Sequence, residues 1–407
     1  MSRLSRWVAA VVAASVVMSA ATAGVSEAAA AAKVRQGPAG VKFYDSPIRP
    51  VPGKRHGDAI WQRALKGAAV VPGAARTTLV LYRSTDAAGD AVPVTGVVSV
   101  PRGTAPKGGW PVITYAHGTT GIADACAPSR DGGGGPVHPY NAYVFPLLTS
   151  WLKAGYAVVR TDYQGLGTPF DHQYLVGGTE GRSVLDMARA ARQVEPRLSK
   201  ATIIAGHSQG GHAALFAAAL APRYAPELRV RGTVAFAPAS HLDEQLPLTR
   251  SIATPNAGLT ALVATIAAGL HAAYEDQADL ASFLTPDAVT LALKAYTECL
   301  PQLGADATAA GLAPSGLLRA DADLPRLTKL LDRNDPSHLK IRTPVLLEQG
   351  LADSTVIPLF TDQLASELRR NATEDRLFYR RFDGVDHAGV VIKGGPAATA
   401  WIRDRLR

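Results

Sequence analysis

The chain has 407 residues, with 42 Lys and Arg against 34 Asp and Glu, so its formal charge is +8. Apolar residues make up 47% and charged residues 19%, which excludes global disorder. The 38 Gly follow no three-residue period, and no run of Lys or Arg is long enough to read as a nucleic-acid patch, so collagen and nucleic-acid binding are excluded too.

The chain opens on Arg3 and Arg6, followed by an apolar run over residues 7–18 that is too short to span a bilayer. Ala21-Thr22-Ala23 fits a small-x-small cleavage site, and Ala28-Ala29-Ala30 offers a second. This pattern predicts a secretory signal peptide, with residues 1–32 forming the signal and an unstructured start. An uncleaved membrane anchor is the competing reading. Loss of residues 1–23 removes two Arg and no acid, which lowers the charge from +8 to +6. No later stretch has 18 consecutive apolar residues, so a soluble, secreted, extracellular protein is expected. The cysteines are Cys126 and Cys299. In an oxidising compartment such a pair most simply forms one disulfide, and two buried free thiols are the alternative. Two cysteines cannot complete a Cys-type zinc site and no HExxH motif occurs, so no metal is expected.

Downstream, short β-rich runs recur at residues 78–83, 92–100, 112–116, 157–162, 202–206, 233–238, 345–350 and 376–382. Several are continuously apolar rather than alternating, as suits strands covered on both faces. Helical patterns lie between the later ones, at 182–195, 208–220 and 358–370, with a closing helix at 397–406. Strands first, then strands alternating with helices, predict an α/β sheet with a mixed beginning. Residues 241–338 break the rhythm. They hold Ala-rich helical stretches and no convincing strand, and read as a helical insertion between a first core part, 33–240, and a second, 339–407.

Residues 202–214 read TIIAGHSQGGHAA and contain G-x-S-x-G. The bare motif is weak evidence, and a Gly-rich structural turn is its plainer reading. Its context is strong: an apolar β-run enters and an Ala-rich helix leaves, the arrangement that holds a serine in strained backbone geometry with its hydroxyl exposed. Ser208 is thus the predicted nucleophile. Gly206 and Gly210 stand where a Cβ would collide with neighbouring chain, and Gly211 and Ala214 let the helix pack close to the sheet.

A serine hydroxyl is a poor nucleophile without a base, and the base needs an orienting acid. In strand–elbow–helix hydrolases the chain order is Ser, acid, His. Asp353 follows one late strand and His387 the next, so Ser208, Asp353 and His387 form the predicted triad. Asp386, Asp383 and Glu348 are competing acids, and His207 and His212 competing bases. His241 and His338 border the insertion and are expected at the surface. The oxyanion needs two main-chain N–H groups. Gln209 supplies one and Thr119, in the loop after the run 112–116, the other, with Thr120 as the nearest alternative. His117 reads as a brace for that loop.

These residues resemble a known family. TYAHGTTG (114–121), CAPS (126–129), TDYQGLG (161–167), GHSQGGHAA (206–214), ADSTVIP (352–358) and Asp386-His387, in this order, are similar to the secretory lipases of fungi and actinobacteria, the lipase A type. The match runs from about Val80 to the C-terminus. It implies an α/β-hydrolase fold, a mixed, mostly parallel sheet flanked by helices, with a helical cap inserted after the strand that follows the elbow. It implies hydrolysis of acylglycerols and other carboxylic esters, and pairing of Cys126 with Cys299 between the oxyanion-side loop and the cap. One segment departs: the fungal oxyanion loop carries acidic residues where this chain has His-Gly-Thr-Thr.

The expected activity is a secreted lipase or esterase working through an acyl-enzyme without metal or organic cofactor. The expected partners are a small-molecule or lipid ester and a lipid–water interface, with the protein a monomer. A short-chain carboxylesterase, an acyltransferase or a peptidase would use the same triad. A binding protein that keeps a hydrolase core is the non-enzymatic rival.

Overall fold

Runs rich in Val, Ile, Leu and Thr build a nine-stranded sheet: β1 (Ala59–Ala64), β2 (Arg76–Thr85), β3 (Ala91–Val100), β4 (Trp110–Ala116), β5 (Ala157–Thr161), β6 (Leu198–His207), β7 (Arg229–Phe236), β8 (Val345–Gly350) and β9 (Leu377–Phe382). The computed structural model describes residues 34–45, 50–371 and 376–407. The segment read as a secretory signal lies outside the described residues. The strand order is β1-β2-β3-β5-β4-β6-β7-β8-β9. The first four strands in that order pair antiparallel, and from β5 to β9 every pairing is parallel. The mixed beginning read from the sequence is therefore present, and so are all eight predicted strands. β1 is the addition. Its sequence, AIWQRA, has too little β-branched character to stand out, and it is specified by its ladder to β2.

Helices follow the sheet in two layers: α1 (His138–Ala142), α2 (Phe145–Lys153), α3 (Gly177–Val194) and α4 (Gln209–Tyr224) come before β7 or β8, and α11 (Pro358–Asn371) and α12 (Gly389–Leu406) after β8. Between β7 and β8 lie α5 (Leu242–Thr249), α6 (Ala257–Ala273), α7 (Leu280–Phe283), α8 (Pro286–Lys294), α9 (Leu300–Ala309) and α10 (Leu324–Arg333). β5 and β8 are buried along their whole length, which requires cover on both faces. On one face Trp151 of α2 and Trp401 of α12 pack on Tyr115, Phe236 and Leu346. On the other, Leu185 of α3, Leu215 of α4 and Leu364 of α11 pack on Ile204 and Leu347. α12 begins at Gly389, well before the sequence-based start at 397. Its Gly-Gly-Pro stretch is poor for a helix. Packing overrides it: a Cβ on Gly394 would meet Glu348, and one on Gly395 would meet Leu147 at 2.9 Å.

The segment α5–α10 has an apolar cluster of its own, including Ala264, Leu270, Phe283, Leu303 and Leu330, and Ile122, Tyr174 and Leu175 from the sheet side join it. α6 starts where Asn256 Oδ1 accepts the Leu259 N–H, and α10 where Asp323 accepts that of Arg326, both ordinary N-caps. Its chain entry and exit lie side by side, since Asp335 accepts the His241 N–H. A second attachment is covalent. Cys126 and Cys299, 173 positions apart, form a disulfide with their Cα atoms 5.5 Å apart. Gly121 bridges Cys299, and the Leu300 N–H donates to the Thr120 carbonyl at 3.0 Å. Gly121 has φ 128°, and a Cβ there would sit 2.8 Å from the Cys126 sulfur, so the loop needs glycine. No described helix is long and apolar enough to cross a membrane.

Glu348 of β8 is wholly buried, and neither carboxyl oxygen has a hydrogen-bond partner. Burial pushes it up to about 8, against a weaker pull from Arg380, 3.7 Å away. The folded chain thus keeps a proton that the unfolded chain gives up above 4.5. This group's contribution to stability is complete below pH 4.5 and is lost as pH rises toward 8. Glu348→Gln copies the protonated shape and removes the titration. Its melting temperature should match the parent near pH 4 and exceed it at pH 8; a parent-like decline over that range would contradict this account. Replacing Cys299 by Ala should cost about 2–5 kcal/mol, because the bond closes a long loop in the unfolded chain. Denaturant titration of the variant against the oxidised parent measures this.

Candidate active site

The parallel strands all end on one side of the sheet, and each end delivers one part of the site. Such an edge is where open α/β sheets place their ligands. β6 ends at His207 and α4 starts at Gln209, which leaves Ser208 alone to make the turn. Its backbone has φ 59° and ψ −121°, a strained region for a residue with a Cβ. The turn is possible because the adjacent glycines have no Cβ. One on Gly206 would lie 2.0 Å from the Gly210 carbonyl oxygen, one on Gly210 1.9 Å from that of Ala116, and one on Gly211 2.9 Å from Pro238. The Ser208 N–H donates to the Phe236 carbonyl at 2.9 Å, which ties the turn to β7.

Asp353 and His387 are in contact. The His387 Nδ1–H donates to Asp353 Oδ2 at 2.7 Å. The other oxygen of Asp353 accepts the N–H groups of Thr355 at 2.8 Å and Val356 at 2.9 Å. Gln349 Nε2 reaches Oδ2 at 3.2 Å and is itself held by the Gly350 and Val356 carbonyls, while Thr361 donates to its Oε1 at 2.8 Å. The carboxylate is thus buried with its lone pairs occupied, the condition under which a buried charge is tolerated. The competing acids stand elsewhere. Glu348 is buried inside the sheet layer beside Arg380, and Asp386 accepts the Gly389 N–H at 2.7 Å.

His207 lies against His387. Its ring is 4.4 Å from that of His387, centroid to centroid, and its Nε2–H donates to the His387 carbonyl at 2.9 Å. Tyr143 bonds its Nδ1. Burial drives the His207 ring well below the usual imidazole range, with His387 adding to the effect, so it stays neutral. His117 is buried, with Nδ1 2.7 Å from the Gly118 carbonyl and its ring 4.5 Å from Tyr163. It braces its loop. His338 is exposed, but His241 is not at the surface: it is 3% exposed, and Glu367 holds its Nε2 at 3.0 Å. A histidine at the edge of an insertion looks like loop from the sequence, and here it packs under α11 against Phe360.

Gln209 is the first residue of α4, so its N–H belongs to the first helical turn, where no carbonyl of the same helix can accept it. Thr119 lines one cavity together with Ser208, and its hydroxyl pairs with the Tyr174 hydroxyl at 2.6 Å. Tyr140 was not foreseen. Ser208 is near enough to favour the ionised form of Tyr140 slightly, and a Cβ on Gly118 would lie 2.3 Å from the Tyr140 hydroxyl. Burial raises this phenol to about 12, so it remains protonated. It sits on the five-residue α1 with no motif around it. The cavity holds about 310 Å³ and runs from Ser208 into the helical segment, where Leu246, Leu259, Val263, Leu270 and Phe283 are among its walls. Among the described residues no group of three or more His, Cys, Asp or Glu is placed to hold a metal ion.

The model of the secretory lipase family matches residues 143–407. Lipase A of the fungus Arthroderma benhamiae is 28% identical over 356 residues, covering 82% of this chain and 71% of that protein. A Mycobacterium tuberculosis protein named as a probable inactive lipase is 27% identical, covering 83% of this chain and 75% of that protein. Candida antarctica lipase A in its closed state superposes with a TM-score of 0.71 at 20% identity, over 86% of this chain and 82% of that one, which shows the shared fold. The chain belongs to the secretory lipase family and is a carboxylic ester hydrolase of α/β-hydrolase fold.

Proposed function

We propose that the chain is a secreted serine hydrolase that cleaves acylglycerols and lipid-like esters through Ser208, His387 and Asp353. The observation that carries this reading is the 2.7 Å His387–Asp353 pair, delivered to the same sheet edge as a serine in an elbow at the mouth of an apolar cavity. Ser208 Oγ attacks the ester carbonyl while His387 Nε2 takes its proton. Asp353 keeps the Nδ1–H tautomer and stabilises the imidazolium. The developing oxyanion is bound by the N–H groups of Gln209 and Thr119. His387 then protonates the departing alcohol, which leaves an acyl-enzyme that water hydrolyses by the same steps.

Residues 241–338 act as a cap over the site. The apolar cavity favours an acyl chain over a peptide, since its walls offer leucine, valine and phenylalanine and few polar groups to pair an amide backbone. The start of the chain, with its basic and apolar regions, and the family's secretory character support export. All three triad positions are filled, unlike what a protein retained only for binding requires.

Ser208→Ala should lower kcat on p-nitrophenyl butyrate by about 10⁴-fold or more, and Asp353→Asn by about 10⁴-fold. Turnover retained by Ser208→Ala would sink the triad assignment. On a panel of esters from acetyl to oleoyl, kcat/KM should hold or rise as the chain lengthens into the cavity. A steep fall beyond short chains would make the enzyme a short-chain carboxylesterase, and ester products formed with added alcohols would make it an acyltransferase.

A further inference from the structure

Beneath the elbow lies a chain of buried polar groups that the proposed reaction does not use directly. Glu180 of α3 has no exposed surface. Its Oε1 accepts from Gln209 Nε2 at 2.7 Å and from the Leu175 N–H at 3.0 Å, and its Oε2 faces His212 Nδ1 at 3.0 Å. His212 Nε2 lies 2.8 Å from the Asn334 carbonyl, just beyond α10. Both partners of His212 accept, so both ring nitrogens carry hydrogen, and the ring is an imidazolium paired with a carboxylate. Burial works against that charge, but the Glu180 carboxylate outweighs it and raises the His212 pKa.

The second amide hydrogen of Gln209 points at His172 Nε2, 3.0 Å away. That nitrogen is free to accept because the His172 Nδ1–H donates to the Gln164 carbonyl at 2.7 Å. Burial pushes His172 down to about 4, so it stays neutral and keeps this arrangement. Both hydrogens of the Gln209 amide are therefore committed, and its side chain has one orientation.

Gln209 and His212 are three residues apart in the first turn of α4 and so share a face. We propose that Glu180 is a positioning residue for ester hydrolysis: its two oxygens clamp Gln209 and His212, and through them hold the first turn of α4 so that the Gln209 N–H faces the oxyanion. This rests on the Ser208 reading above. A side chain that fixes the group facing the reacting atoms acts on the rate constant, and its one bond to the cavity wall, from the Leu175 N–H, is one that the Glu180→Gln side-chain oxygen can still accept.

The test is kcat per active site, with sites counted by complete fluorophosphonate labelling so that misfolded protein does not enter. Glu180→Gln should lower kcat on p-nitrophenyl butyrate by about 10–10²-fold, less than loss of a whole oxyanion donor, with KM within about twofold. Gln209→Ala keeps the N–H but loses the tether and should fall by a similar factor. The double variant should be no worse than Glu180→Gln alone, since the Gln209 tether is one of the two that Glu180 supplies. Wild-type kcat per labelled site in Glu180→Gln, or losses that multiply in the double variant, would overturn the proposal. If Glu180→Gln fails to fold, Gln209→Ala decides alone, and wild-type kcat there overturns it. Wild-type protein that takes no label at Ser208 would instead remove the reading on which the proposal stands.

Discussion

Ser208 occupies backbone angles that cost roughly 1–3 kcal/mol for a residue with a side chain, and most of the site depends on how that cost is met. The strain is affordable only because β6 enters, α4 leaves, and nothing on Gly206 or Gly210 fills the space between the turn and Ala116. The Ser208–Phe236 bond fixes the turn to β7, and the Ala237 N–H donates to the Glu348 carbonyl at 2.8 Å, which fixes β7 to β8. Elbow and acid loop are thus connected through two strand ends. The sheet acts as a jig, and the loops deliver side chains to positions the strands have already set.

The supporting groups are neutral where a charge would interfere and charged where they can be paired. His207 and His172 are held neutral by burial, each with one nitrogen donating and one accepting. His212 sits opposite a carboxylate. Three histidines therefore surround the elbow with both ring nitrogens engaged, and His387 pairs through its Nδ1 with Asp353. In a low-dielectric site, a polar network with every member satisfied holds its geometry, and one missing partner is costly.

The central strands β4 to β8 were legible because strands covered on both faces write themselves as nearly uninterrupted apolar runs, and the elbow because strand, glycine-flanked serine and Ala-rich helix are contiguous. Asp353 and His387 could be read from their places after consecutive late strands. What escaped was set by tertiary packing. The early start of α12 comes from glycines that admit Glu348 and Leu147. His241 was expected at the surface but is buried, because α11 folds back over it. Glu180 and Tyr140 lie far in sequence from Gln209 and Ser208, and no local pattern links a glutamate in α3 to a glutamine in α4, while Gln349, four residues before Asp353, sits in a buried strand with no motif to mark it.

The entry and exit of the helical insertion are neighbours, joined by the His241–Asp335 bond. A body attached to its base along one such edge is a door. The Cys126–Cys299 bond is a bolt on another edge, set beside the loop that carries Thr119 and Thr120. With the bolt formed, the insertion cannot swing on its hinge without dragging that loop along. Reduction leaves it covalently held at the hinge alone. The bond thus makes the helical wall of the cavity and the loop beside Ser208 neighbours that the chain path alone, 173 positions long, would not join.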